Sequence, residues 1–275
     1  MARILVVAHL NHDRIWELTG PLQSGARISW RNREITLGGG GYFTGLPFLI
    51  SGHEVALVSS LGNDTLGSEA RDYLASSGFD MQHVITRDTG THLTEIFLEP
   101  SGERTILTAH DGPMRRFTLS SETSADAAYI NCFNPDAKIV DALNSTAFVA
   151  SQFPLSETSV SRPADLMIGS RGDFPGLDDT ALWQKAFALC SGRLKHLVMT
   201  DGARTITIYD GRETRPVQPM RRATVSNTIG AGDHFSASLI SAMLSGVAIE
   251  DAASAASKAT TEWLEQRDRQ PLETI

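Results

Sequence analysis

The 275-residue chain predicts an α/β fold: a largely parallel sheet with helices on both faces, three layers in all. Three observations carry this. Strand-like apolar runs alternate with helix-like runs over most of the length. The first run is continuously β-branched, as in a strand covered on both faces. The first two helix-like runs stop at glycines, Gly52 and Gly78, which end helices readily.

Taken in order, residues 4–8 read as a buried first strand. "GGGGYFTGLPFLISG" reads as a glycine-rich turn and an apolar helix, with Pro47 expected near its first turn, where a missing N–H breaks no bond. Residues 55–61 form the next strand. "DTLGSEARDYLASSG" places Leu66, Ala70, Tyr73 and Leu74 on one helical face. Strands are expected at 128–130, 146–149, 166–168 and 197–200, with a helix at 181–190. The run 234–244, "HFSASLISAML", puts Phe235, Leu239, Ile240, Met243 and Leu244 on one face, so a helix begins near Asp233. The polar tail after Trp263 is expected to fray.

One stretch breaks the alternation. "THLTEIFLEPSGERTILT" is two β-rich runs joined by Glu99-Pro100-Ser101-Gly102, a hairpin signature. With the polar extended "RISWRNREITL" it predicts a small separate sheet, built from about residues 14–36 and 91–109, that covers a pocket as a lid. The competing reading is a surface hairpin with no role.

Composition narrows the function. Hydrophobic residues at 41% and charged residues at 20% suit a soluble globular enzyme. A net charge of −8 without a basic stripe argues against nucleic acid as a partner; Arg221-Arg222 reads as a solvated turn. Cys132 and Cys190 form no CxxC, which suits a reducing cytosol. The apolar part of "MARILVVAHL" is too short for a signal peptide or a membrane span. A cytoplasmic protein without a membrane partner is expected.

The chemistry concentrates in "VSNTIGAGDHF", residues 225–235. Gly230, Ala231 and Gly232 feed the N-terminus of the helix, where unpaired N–H groups and the helix dipole attract anions. Asp233 in the first turn is either a helix cap or a base, placed to take a proton from a hydroxyl while the amides hold developing phosphate charge. The helix N-terminus is expected to keep this carboxylate ionised at neutral pH. His9 and His12, three apart at a strand end, share no face for a metal. A P-loop lysine and a G-x-S-x-G elbow are absent from the sequence, and the glycine run lies outside a first β-α turn, so it is no dinucleotide fingerprint.

In order, the chain presents Asn11-His12-Asp13, the glycines at 38–41, "GNDTLG", the hairpin, "TDG" at 200–202 and "NTIGAGDHF". This series resembles the ribokinase-like (PfkB) carbohydrate kinases, a family that includes nucleoside kinases. "NTIGAGDHF" is similar to the family's closing signature D-T-x-G-A-G-D-x-F. "LGGGGYFTGLPFLISGHEVALVSSLGNDTLG" follows its first signature region without a gap.

The resemblance implies a single ribokinase-like α-β-α domain over 1–275 with a β lid. It also implies ATP-dependent phosphorylation of a hydroxymethyl group on a sugar or sugar-like molecule, assisted by Mg²⁺. It makes Asp233 the catalytic base, with Gly230, Ala231 and Gly232 as the anion hole. Asp13, with Asn11 beside it, would bind substrate hydroxyls, and His12 would rim the pocket. Gly38 and Gly39 would let substrate lie against the backbone. Thr200 and Gly202 would contact nucleotide, and the turn around Ser101-Gly102 would belong to the lid. The lid also leaves open a homodimer formed through it.

Several positions depart from the family pattern. Asn227 replaces a carboxylate associated with a monovalent cation, and the alanine-rich closing segment of that site is replaced around "SKATTEWLEQ", so such a cation is in doubt. Ser170 and Asp173 stand where an Asn and a Glu organise Mg²⁺ through water. Phe43, with Thr44 next to it, stands where an asparagine commonly meets the sugar. Two alternatives therefore stay open: a nucleoside kinase, in which Phe43 stacks near a base or ribose, and a pseudokinase that binds sugar or nucleotide as a regulator.

Overall fold

The computed structural model of the protein describes residues 1–109, 115–155, 158, 160–221 and 225–269. In chain order, β1 (Arg3–Ala8) precedes β2 (Asn11–Leu18), β3 (Trp30–Gly38), α1 (Gly40–Ile50), β4 (Glu54–Gly62), α2 (Thr65–Ser76) and β5 (Asp80–Arg87). The hairpin β6 (Leu93–Leu98) and β7 (Arg104–Leu107) follows. Next come β8 (Arg116–Phe117), β9 (Ala127–Asn131), β10 (Asn134–Pro135), α3 (Ala137–Ser145), β11 (Phe148–Gln152) and β12 (Leu166–Ser170). A 3-10 turn over Arg171–Asp173 leads to α4 (Asp179–Leu189) and β13 (His196–Thr200). The chain then runs through β14 (Ile206–Tyr209), β15 (Thr214–Val217), α5 (Ala231–Leu244) and α6 (Ile249–Arg269).

The main sheet has the order β15-β14-β13-β12-β11-β9-β1-β4-β5. From β13 to β5 all neighbours run parallel, and β14 and β15 add an antiparallel edge. The period of two in β1 makes the three layers. Ile4, Val6 and Ala8 face a core shared with α1, α2, α5 and α6, while Leu5 and Val7 face one shared with α3 and α4. The expected α/β fold with helices on both faces is the one observed.

A second sheet has the order β3-β2-β6-β7 and contains the expected hairpin. β2 is continuous with the Asn11–Asp13 segment, so these residues open a lid strand rather than end β1. Ile15, Ile96 and Leu98 form a small core of their own with Ile229, against which Phe43 packs. The small sheet therefore packs on the loop before α5 through Ile229.

Four local expectations are corrected. α1 starts at Gly40, so Pro47 lies in its C-terminal half and leaves the Phe43 carbonyl without a helical donor. The strand expected at 146–149 begins at Phe148, because Thr146 is the C-cap of α3 and its hydroxyl donates to the Ala142 carbonyl. α5 starts at Ala231, two residues before Asp233. The polar tail continues α6 to Arg269, pinned by an Arg267 hydrogen bond to the Ile229 carbonyl (2.7 Å) and by cation–π contact of Arg267 with Trp263. Residues 270–275 lie outside the described residues, as does Arg222 of the expected turn, whereas Arg221 pairs with Glu265.

The N-terminal ends of β11, β12 and β13 are tied by one carboxylate. Asp165, 4% exposed, accepts from the Val149 N–H (2.9 Å) and from Arg193 Nε and Nη2 (3.0 and 2.7 Å), and pairs with Lys195 (3.1 Å). Burial alone would raise its pKa. The hydrogen bonds from Arg193, Val149 and Lys195 outweigh burial and hold it below 3.8. Its stabilisation is therefore present above the ordinary carboxylate range and lost as pH falls through that range. Asp165→Ala, which strands the half-buried Arg193, is expected to cost about 3 kcal/mol in urea unfolding at pH 7 and clearly less at pH 3. An equal loss at both pH values would contradict this account.

Candidate active site

A cavity of about 570 Å³ opens at the C-terminal ends of the parallel strands, the usual position for ligands in open α/β sheets. His9 after β1, Asn131 ending β9, Gln152 ending β11 and Ser170 ending β12 form its floor. Asp13, Thr94, Ile96, Arg104, Ile106 and Thr108 form the lid wall.

Asp13 is 4% exposed and lines this cavity, held by a 2.6 Å hydrogen bond from Asn11 Nδ2. The Asn11 amide also donates to Thr94 of β6 (3.1 Å). Gly38 makes room for this carboxylate: a Cβ there would lie 2.1 Å from Asp13 Oδ2. Gly39, the N-cap of α1 at φ 89°, would collide in the same way with the His9 carbonyl and Asn11 Oδ1. The two glycines thus leave room for Asp13 and Asn11; Gly39 lines the cavity and Gly38 does not. His12 is buried and outside the cavity wall, while His9 lines it.

Asp233 faces the same cavity from the first turn of α5. Thr44 Oγ1 donates to its Oδ1 at 3.4 Å, and the Asn131 side chain also donates to it. A Cβ on Gly40 would meet Asn131 Nδ2 at 2.6 Å and Asp233 Oδ1 at 3.3 Å. Burial raises the Asp233 carboxyl to about 6 against the opposing effects of Thr44, Arg104 and Asn131. Burial, then the Asp233 charge, raises Asp13 to about 7, with the Asn11 hydrogen bond opposing. The expected depression by the helix N-terminus is thus overridden by desolvation, although Asp233 still ionises below neutrality.

The loop before α5 divides its amides. Gly230 is left-handed (φ 78°), and a Cβ there would lie 2.6 Å from the Phe43 ring, so Phe43 fills the space beneath the turn. The Ala231 N–H donates to the Thr228 carbonyl (3.2 Å), and Ala231 is not in the cavity wall, which removes it from the expected anion hole. Gly232 lines the cavity with nothing within 4 Å of a Cβ, and in the first turn its N–H has no helical acceptor. Asn227 uses its side-chain oxygen to accept the Ile229 N–H (2.9 Å), a turn that needs no charge.

Ser170 and Asp173 line the cavity together, with Asp173 exposed. Burial raises the Asp173 pKa, and Arg104 opposes this. Among the described residues no group of three His, Cys, Asp or Glu could hold a metal. Thr200 and Gly202 are absent from the cavity wall. Thr200 pairs in register with Ser170 at the adjacent strand end, and its hydroxyl donates to the Gly169 carbonyl (3.2 Å).

Sequence reasoning missed Asn131, Arg104 and Arg162, and met Thr44 only as a neighbour of Phe43. A polar residue ending an apolar strand was the available signal for Asn131. Arg104 lay in an exposed-looking strand, yet it donates to Thr228 (2.7 Å) beside the loop and lines the cavity.

Residues 164–274 match the family model for pfkB family carbohydrate kinases. Among solved structures, the nucleoside kinase of Methanocaldococcus jannaschii, an archaeal member of the ribokinase family, aligns with TM-score 0.74 and 16% identity over 98% of this chain and 94% of that one. The Burkholderia thailandensis nucleoside kinase in complex with inosine gives 0.75 and 15% over 98% and 92%. Arabidopsis thaliana ribokinase complexed with ribose and ATP gives 0.69 and 16% over 96% and 93%. Among the described residues no helix is long and apolar enough to cross a membrane.

Asp13 and Asp233 bind protons more tightly here than the ordinary value of 3.8, so the folded chain is stabilised below that value and loses stability as pH rises through about 6 to 7. Asp233→Asn removes a charge buried at cost. In urea unfolding it is expected to gain, relative to the parent, on the order of 1–3 kcal/mol more at pH 8 than at pH 4. The same change at both pH values would refute the burial argument.

Residues 164–274 thus match the pfkB family carbohydrate kinase model, and the chain as a whole shares the fold of the ribokinase-family structures it resembles.

Proposed function

We propose that the protein transfers the terminal phosphoryl group of ATP to a hydroxymethyl group of a sugar or sugar-like molecule. The observation that carries this reading is the meeting of two carboxylates, Asp13 and Asp233, with the open first turn of α5 in one cavity. Asp13, fixed by Asn11, orients substrate hydroxyls. Asp233 accepts the proton as the hydroxyl oxygen bonds to phosphorus and the bond to the leaving ADP oxygen breaks. The Gly232 amide and the α5 dipole stabilise the charge on the transferring group. Arg104, on the lid strand, adds positive charge that acts on both Asp233 and Asp173.

Mg²⁺, when bound with nucleotide, would neutralise phosphate charge. Asp173 and Ser170 suit an ion held mainly by phosphates and its own waters. Thr200 and Gly202, next to Ser170, would meet the nucleotide beyond the cavity. A nucleoside is the second reading, favoured by the likeness to two nucleoside kinases and reacting through the same hydroxymethyl chemistry. An apolar groove on the outer face of the lid, with Trp30 52% exposed, supports a homodimer formed there.

Product formation from ATP against a panel of sugars and nucleosides tests the proposal, and Asp233→Asn is expected to lower kcat about a hundredfold or more with nucleotide affinity nearly unchanged. Unchanged turnover would remove Asp233 as the base. Binding without product across the panel would favour the regulator.

The cation bears separately on mechanism. Arg267 fixes a guanidinium on the Ile229 carbonyl, directly before Gly230, and Asn227 shapes the same turn without charge. Turnover is therefore expected to be indifferent to KCl at constant ionic strength, and Arg267→Ala to lower kcat about tenfold by loosening the loop. Several-fold specific activation of the parent by K⁺ would contradict this.

A further inference from the structure

Arg162 is the largest fully buried side chain, 1% exposed, and it lines the catalytic cavity. It enters from the segment between β11 and β12, where its backbone N–H donates to the Leu189 carbonyl. Its Nη1 donates to the Cys132 carbonyl (3.0 Å) and its Nη2, more weakly, to that of Phe133 (3.4 Å). Nε has no partner. Among the described residues no carboxylate pairs with it. The titratable groups that act on it are two buried thiols, Cys132 and Cys190, whose pKa values burial pushes up to about 12 and about 11, so both are neutral at pH 7.

A buried guanidinium held only by neutral carbonyls is costly, because carbonyl dipoles replace only part of its hydration. The buried carboxylate Asp165, by contrast, has two cationic partners. If the role were only to cap two carbonyls, a neutral donor would serve at lower cost. Arg115, His9 and His92 line the same cavity, and burial holds His9 near pKa 3, uncharged. Asp13, Asp173 and Asp233 are its carboxylates, and Arg162 is not shifted by any of them.

Position supplies the scale. Asn131 donates to Asp233, and the next two residues, Cys132 and Phe133, receive Arg162. The backbone of those three consecutive residues spans at most about 7 Å, so Asp233 and Arg162 are joined through one short strand-end step, the scale of a small sugar acid or sugar phosphate. We infer that Arg162 is an anion-recognition residue of the substrate subsite. The substrate carries, at the end remote from its reacting hydroxymethyl group, a carboxylate or a phosphate monoester that pairs with this guanidinium. The inference rests on the kinase reading for the reacting end alone; the anion preference is a property of binding.

Calorimetry on the full chain tests it with matched pairs: gluconate against glucitol, and fructose 6-phosphate against fructose. At least one anionic member is expected to bind tenfold or more tightly than its neutral partner, and the favoured pair distinguishes carboxylate from phosphate. In Arg162→Gln the preference is expected to vanish while neutral-sugar and nucleotide binding persist, and Arg162→Lys is expected to keep part of it. Circular dichroism and nucleotide affinity report whether each variant is folded. Equal binding within both pairs by the parent overturns the inference, as does no binding of either anion. So does a preference that survives in folded Arg162→Gln. Should Arg162→Gln fail to fold, the parent pairs and Arg162→Lys decide. Product assays on the same compounds are read separately: anion-selective binding without phosphorylated product overturns the kinase reading and leaves this one standing.

Discussion

Close approach of side chains to bare backbone is the constraint on which this site depends. Asp13 comes from the lid and Asp233 from a helix on the main sheet, and around them positions 38, 39, 40 and 230 carry no Cβ where neighbouring groups come closest. At Gly38 the missing atom is replaced by the Asp13 carboxylate, at Gly40 by the Asn131 amide and at Gly230 by the Phe43 ring. Methyl groups at these positions would displace the acids or the loop rather than merely crowd a substrate. The proximity has an electrostatic consequence. Burial raises both carboxyls, to about 7 for Asp13 and about 6 for Asp233, and the Asp233 charge adds to the rise at Asp13.

The loop before α5 is clamped from opposite sides. On one side Ile229 completes the small apolar core of the lid with Ile15, Ile96 and Leu98, and Arg104 holds Thr228. On the other, Arg267 at the end of α6 holds the Ile229 carbonyl, and Trp263 stacks on His234 of α5. A fixed turn is what electrostatic stabilisation of a transferring phosphoryl group requires, because dipoles that must reorient lose most of their effect. The same contacts make lid and loop one mechanical unit, so movement of the lid strands would be felt at Gly230.

Charge is distributed unevenly over the cavity. Asp13 and Asp233 both line it, and Arg104 on the lid strand acts on Asp233 and Asp173. Arg162 lies at the other end of a three-residue step along the strand end, embedded in neutral groups. Such separation of acid and base is how one small cavity can hold a molecule in a single direction.

Periodicity and local chemistry determined the architecture. The continuous apolar run at 4–8, the glycine stops and the repeated β-α alternation were enough for a parallel sheet between helix layers. The hairpin at 93–107 announced the second sheet, and the motif at 225–235 announced a glycine-rich turn into a helix. These features are local, within reach of one turn or one strand. Boundaries were less legible: Thr146 ended a helix rather than starting a strand, because its hydroxyl turned back to Ala142. The tail stayed helical because Arg267 found a carbonyl far off in sequence. Tertiary structure alone decided what the glycines at 38–40 face, which amide of 230–232 is already used, and that Asn131, Arg104 and Arg162 belong to the cavity. Each depends on which strand ends lie side by side, and no window of sequence contains both partners. Burial, which sets the proton affinities of Asp13 and Asp233, is likewise a property of the packed whole rather than of the residues beside them in the chain.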